Sequence, residues 1–179
     1  AGNLYNVAVT PGPLAPALRQ DFPEIVNTVR FSNWSGLLKN GQQVFEEQNI
    51  QLTDNSIFSV FDFPLLKGNP GTALLAPDEI VITENMAVKY FGEQWAANPA
   101  LLGQVFSLNN QFDFKLAGVV KNVPALSSIQ FDFLLPLDYL FKSDEWSYKW
   151  NSNNYHTYLQ LKPGTDMAAF ARKIKHKLT

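Results

Sequence analysis

The sequence has no cysteine among its 179 residues, which removes disulfides, thiolate metal sites and cysteine nucleophiles together. It also lacks any apolar run approaching the ~20 residues that a helix needs to cross a bilayer. The richest stretch, Phe131 to Phe141, is cut by Asp132, Pro136 and Asp138. Neither sign of charge dominates: 14 Lys and Arg stand against 16 Asp and Glu, a formal net charge of −2. Nucleic-acid phosphates demand concentrated cations, so nucleic acid is not an expected partner. Histidine is scarce, and His156 and His176 do not have the spacing of a helical or zinc-motif ligand pair. An initiator Met and a basic-then-apolar leader are missing too, which leads us to expect a piece of a longer chain.

Catalytic motifs are equally sparse. The sequence has no Gly-x-Ser-x-Gly elbow, Walker loop or Gly-x-Gly-x-x-Gly, and Gly68-Asn69-Pro70-Gly71 reads as a loop rather than a phosphate cradle. Glu46-Glu47, Asp78-Glu79 and Asp144-Glu145 are the paired carboxylates that an envelope hydrolase would need. Neighbours on a strand point to opposite faces, so the first pair is poorly placed for shared chemistry. Asn33-Trp34-Ser35 matches a glycosylation sequon, but an ordinary strand start is the plainer reading. No catalytic residue, cofactor site or metal site is assigned.

What is present builds a core. With 46% apolar residues, the chain can form one large domain or two small lobes. LYNVAV at 4–9 reads as a strand, and Pro13 and Pro16 fit the first turn of a helix carrying Leu14, Ala17, Leu18 and Phe22. Phe22-Pro23 ends that helix, and Val26 to Phe31 forms the next strand. Asn40-Gly41 turns a hairpin with arms at about 33–38 and 42–52. Asp54 is placed to cap a short helix holding Ile57, Phe58 and Phe61, which Pro64 and Gly68 lead into an edge strand.

Farther on, Ile80-Val81-Ile82 is a buried strand, and Thr83 is placed to cap a helix whose inner face is Met86, Ala87, Tyr90 and Phe91, with Gly92 ending it. Segments 104–108 and 112–121 flank Asn109-Asn110 as a hairpin. Phe131, Phe133 and Leu135 alternate as a strand, as do Tyr155, Thr157, Leu159 and Leu161. Asp166 opens a last helix with the stripe Met167, Phe170, Ala171, Ile174 and Leu178. Its terminal cluster of Arg172, Lys173, Lys175 and Lys177 complements the helix dipole.

One segment has the composition of a binding surface: Trp146-Ser147-Tyr148-Lys149-Trp150, followed by Asn151-Ser152-Asn153-Asn154. Strand-like alternation would project Trp146 and Trp150 together, as a partner-binding or sugar-stacking platform requires, with Tyr148 beside them as a further candidate contact. The alternative is a loop whose tryptophans anchor it in the core.

Taken in order, PGPLAPALRQDFPEI at 11–25, DNSIFSVFDFPLLKGNP at 54–70, EIVITENMAVKYFG at 79–92, LLGQVFSLNN at 101–110, FKLAGVVKNVP at 114–124, FDFLLPL at 131–137 and YLQLKPGTDMAAFARKI at 158–174 resemble the MacB-like periplasmic core domain. This is the extracytoplasmic part of ABC-transporter permeases of the MacB/FtsX type, here of Bacteroidetes-like character. The linker EQWAA at 93–97 and Leu102 before its Gly depart from the family's usual pattern.

The resemblance implies a two-lobed α+β fold. A porter-like strand-helix lobe comes from residues 1–31 and 125–179, and a strand-rich lobe of 32–124 is inserted between them. It further implies a periplasmic, non-enzymatic domain of an inner-membrane permease. Its partners would be the parent's transmembrane helices, an ATP-binding domain or subunit, a second permease copy and an envelope protein. The other reading, from the aromatic segment, is a secreted carbohydrate-binding module using Trp146 and Trp150.

Overall fold

The computed structural model describes residues 8–139 and 145–178, with the side chains at 146 and 176–178 set aside. The architecture is mixed α+β. In chain order the elements are β1 (Thr10–Pro11), α1 (Leu14–Asp21), β2 (Ile25–Asn40), β3 (Gln43–Thr53), α2 (Ile57–Val60), β4 (Leu65–Gly68) and β5 (Glu79–Thr83). There follow α3 (Glu84–Phe91), a 3-10 turn at Trp95–Ala97, β6 (Val105–Leu108), β7 (Phe112–Val120) and β8 (Phe133–Pro136). A 3-10 turn at Glu145–Tyr148, β9 (Asn153–Leu161) and α4 (Met167–Leu178) complete it.

The strands join in the order β1-β9-β2-β3-β8-β5-β7-β4, with β6 bridging β2 and β7 off that path. β3 with β8 and β5 with β7 are parallel pairs; the other pairs are antiparallel. The hairpin expected at Asn40-Gly41 is there, with Gly41 at φ +55°. The two segments expected as separate strands at 26–31 and 33–38 are one strand, β2. Its buried side switches along its length, from Val29 and Phe31 on one face of the sheet to Leu38 on the other. The irregularity between Trp34 and Gly36 in its pairing with β3 puts the extra residue on β3, where Ile50 to Glu47 is three steps against two on β2. At that point a Cβ on Gly36 would lie 2.9 Å from Leu108 Cδ1 and from Asn109 Oδ1. The same Asn109 oxygen accepts the Leu37 N–H at 2.9 Å.

Three apolar clusters hold these elements. The first packs Leu38, Ile50, Leu52, Tyr90, Phe106, Phe114 and Phe133 beneath α3. The second gathers Val29, Phe31, Ile57, Val81, Phe131 and Leu134 around α2. The third comes from the two ends of the described chain: Leu14 and Leu18 of α1, Ile25, and Phe170 of α4, with Phe22 and Phe170 edge-to-face at 5.9 Å. β8 was expected to alternate, yet Phe133, Leu134, Leu135 and Pro136 are all buried. It lies between β3 and β5, so Phe133 and Leu135 fill one cluster while Leu134 fills the other.

The expected caps differ in detail. Asp166 Oδ1 does accept the Ala168 and Ala169 N–H groups at 2.9 and 3.0 Å, as a helix-opening carboxylate should. Thr83 occupies the N-cap position of α3, but its hydroxyl makes no capping bond and is buried without a partner. Asp54 does not cap α2, whose N-cap is Ser56. Its carboxylate instead takes the Arg30 guanidinium in a two-point pair, Nη2 to Oδ1 at 2.6 Å and Nε to Oδ2 at 2.9 Å, and also accepts the Arg30 backbone N–H at 2.8 Å. Ionic attraction outweighs the neutral cap when a guanidinium lies within reach. In the last helix, Met167 is 65% exposed, so Phe170 and Ile174 carry the packing rather than the whole expected stripe.

Candidate functional site

The aromatic segment does not form the alternating strand on which its platform reading rested. Residues 145–148 wind as a 3-10 turn, with about three residues per turn, so alternation does not set their directions. Ser147 is buried and its Oγ accepts the Tyr155 hydroxyl at 2.9 Å, pinning the turn to β9. Tyr148 is 60% and Trp150 58% exposed. The side chain of Trp146 lies outside the described residues. Two of the three candidate contacts are therefore available at the surface, and Trp150 is no core anchor.

The tryptophan that anchors a linker is a different one. Trp95, in the segment 93–97 that departs from the family pattern, is only 7% exposed and joins the first cluster. Its 3-10 turn closes on Gly92, whose carbonyl accepts the Trp95 N–H at 3.1 Å.

The carboxylate pairs separate as their strand and loop positions require. Glu46 faces solvent, whereas Glu47 is 5% exposed and faces α3. Glu47 Oε1 accepts the Tyr90 hydroxyl at 2.8 Å and Lys89 Nζ at 2.7 Å. Lys89 also lies over the Phe45 ring, 4.4 Å from its centroid. Burial, and then the Glu47 hydrogen bond, push the Tyr90 hydroxyl far above its ordinary range, so it stays protonated and donates. This is a clamp between α3 and β3, with its carboxylate occupied by structural partners. Asp78 is paired with Lys115 at 3.1 Å, and Glu79 accepts the Ala76 N–H at 3.3 Å. Asp144 lies outside the described residues, and Glu145 is exposed.

His156 is exposed on β9, and the side chain of His176 lies outside the described residues. Among the described residues no group of three or more His, Cys, Asp or Glu side chains comes together as a metal site. No helix there is long and apolar enough to cross a membrane. Among the described residues the geometry thus offers packed clusters, structural ion pairs and surface clefts.

A family model described as the MacB-like periplasmic core domain matches residues 1–177. The chain belongs to that family. No curated protein sequence matches it. Solved structures carry the same fold. A domain assigned to a permease protein of Porphyromonas gingivalis superimposes with a TM-score of 0.78 at 22% identity, covering 96% of this chain and 77% of that one. The periplasmic region of MacB from Actinobacillus actinomycetemcomitans gives 0.69 at 17% identity, over 92% of this chain and 70% of that one. The extracellular domain of the noncanonic ABC-type transporter YknZ of Gram-positive bacteria gives 0.62 at 15% identity, over 97% and 88%. This MacB-like domain is therefore a periplasmic domain of the permease kind.

Proposed function

We propose that this MacB-like domain is a non-catalytic coupling element. In this reading it passes ATP-driven movement of the parent permease's membrane helices to a substrate or partner in the envelope. One observation carries the proposal: α1, the start of β2 and α4 pack on a single apolar cluster. Motion delivered at either end of the domain would thus enter at one place. From there β2, 16 residues long, runs without a break to the Gly41 turn, a span of roughly 50 Å at ~3.3 Å per residue.

The two-lobed division belongs to this proposal. Residues 1–31 and 125–179 would form the lobe next to the membrane, and 32–124 the outer one, with β2 as their shared strut. The expected partners are the transmembrane helices and ATP-binding subunit of the parent, a second permease copy, and an envelope protein met through Tyr148 and Trp150. Incubating the purified domain with ATP, casein and aryl glycosides should give no turnover. Turnover that co-purifies with the domain through successive columns would refute the non-catalytic reading.

A further inference from the structure

Between β2 and β9 the ladder opens. Their antiparallel pairing runs from Ile25↔Leu161 to Phe31↔His156 and stops there. β2 goes on pairing with β3 through Asn33↔Gln51 and Trp34↔Ile50, while β9 changes partner to β1 through Tyr155↔Thr10. A cleft of about 420 Å³ occupies the divergence, and Ser32, Asn33, Trp34, Asn153, Asn154 and His156 line it. A smaller cleft of about 180 Å³ shares Asn33 and His156 with it and adds Gln51, Ser128 and Gln130.

The chemistry of this lining is unusual for the molecule. Among the described residues no Lys, Arg, Asp or Glu lines either cleft, although charged residues are 17% of the chain. Carboxamides take their place, and each offers two N–H donors and a carbonyl acceptor. Several of these groups are not used by the fold. Asn153 and His156 make no side-chain hydrogen bond among the described residues. Gln51 donates to Asn33 Oδ1, but its own Oε1 is buried with no donor. A buried acceptor without a donor is a cost that native structures rarely carry without a reason. Trp34 borders the larger cleft, its side chain partly buried on the first cluster with its ring centroid 6.1 Å from that of Tyr139.

We propose that this cleft binds a neutral saccharide. Hydroxyl groups need donors and acceptors together, which carboxamides and an imidazole provide. An anionic or cationic ligand would lose its hydration without gaining a counter-charge. A peptide added as a strand would be held by main-chain groups and would not require this concentration of side-chain amides. Neither Tyr148 nor Trp150 lines it. It goes beyond the coupling reading, which requires no ligand here.

The test is a titration of the ¹⁵N-labelled chain with maltotriose, cellotriose and triacetylchitotriose, each up to about 10 mM, a range that detects millimolar affinity. Saturable shifts are expected for at least one of the three, confined to the Trp34 indole and to residues 32–34 and 153–156. Asn153→Ala and Asn154→Ala change exposed side chains. They should keep the native melting temperature while weakening binding roughly tenfold. His156→Gln, which retains hydrogen-bonding capacity, should bind within about threefold of the native chain. The proposal is overturned if none of the three sugars binds, or if shifts map elsewhere. It also fails if binding survives both Asn variants, or if a neutral Ser/Asn decapeptide saturates the cleft when the sugars do not.

Discussion

Replacing Asp54 with Ala separates two accounts of the same residue by magnitude. If Asp54 acted as a helix cap, its loss would cost about 1 kcal/mol. The structure has it paired in two places with Arg30, the two side chains only 12% and 18% exposed. Removing one partner of a mostly buried ion pair costs about 3 kcal/mol, at the low end of the range for full burial. For a chain of this size that lowers the melting temperature by about 6–12 °C. Arg30 also donates from Nη1 to the Gly12 carbonyl at 2.8 Å, so the guanidinium ties the segment before α1 to β2 and to the start of α2. The assay is urea and thermal unfolding of Asp54→Ala, Asp54→Ser, Arg30→Ala and the double Ala variant. Serine is a good cap but no ion-pair partner, so Asp54→Ser should be about as unstable as Asp54→Ala. The double-mutant cycle should show coupling of about 2 kcal/mol. Recovery of stability in Asp54→Ser, or a neutral Arg30→Ala, would refute the ion-pair reasoning.

The clamp at α3 predicts that Glu47→Ala lowers unfolding free energy by about 2 kcal/mol, because the buried Tyr90 hydroxyl loses its short acceptor. Glu47→Gln, which keeps an acceptor, should cost only about 1 kcal/mol in the same denaturation assay. Gly68 and Gly41 both have positive φ, +94° and +55°, but a Cβ on Gly68 would lie 2.4 Å from the Ala117 carbonyl oxygen while one on Gly41 meets nothing within 4 Å. Thermal melts should therefore show Gly41→Ala costing about 1 kcal/mol and Gly68→Ala at least ~2 kcal/mol more. Trp150→Ala should leave the unfolding free energy within about 1 kcal/mol of native, since that side chain is 58% exposed. In the parent permease the paired change Tyr148→Ala and Trp150→Ala should weaken capture of the proposed envelope partner by pull-down.

Local chemistry made much of the fold legible. Asn40-Gly41 marked the hairpin, Phe22-Pro23 the end of α1, Gly92 the end of α3, and Asp166 the start of α4, because each is a constraint on a few consecutive residues. What depended on distant chain was not legible. Asp54 reads as a cap until β2 brings Arg30, 24 residues away, alongside it. Phe133 to Pro136 reads as part of an alternating strand until two neighbours and two clusters enclose it. The long β2 reads as two strands because its two ends bury opposite faces, Val29 and Phe31 on one and Leu38 on the other, and such a switch resembles a boundary. The candidate contacts depended on the same kind of inference. Alternation was applied to Trp146, Tyr148 and Trp150, but a 3-10 turn made it irrelevant. The carboxamide cleft had no signal in sequence, since Asn33, Gln51, Gln130, Asn153 and His156 come from four separate segments.

Coupling is tested most directly by watching the outer end of β2 while the motor runs. Gln42, exposed at the hairpin turn, takes a spin label as Gln42→Cys, with no other cysteine in these 179 residues and any elsewhere in the parent replaced by serine. The label is read in the full parent permease, assembled with its ATP-binding subunit in lipid nanodiscs, by pulsed dipolar spectroscopy between the two copies. A distance distribution that shifts between the nucleotide-free and ATP-trapped states, and does not shift when the subunit's hydrolytic carboxylate is neutralised and nucleotide is withheld, is the predicted result. Identical distributions in every nucleotide state, with ATP still being hydrolysed by the unlabelled assembly, would contradict the claim that this domain carries the movement.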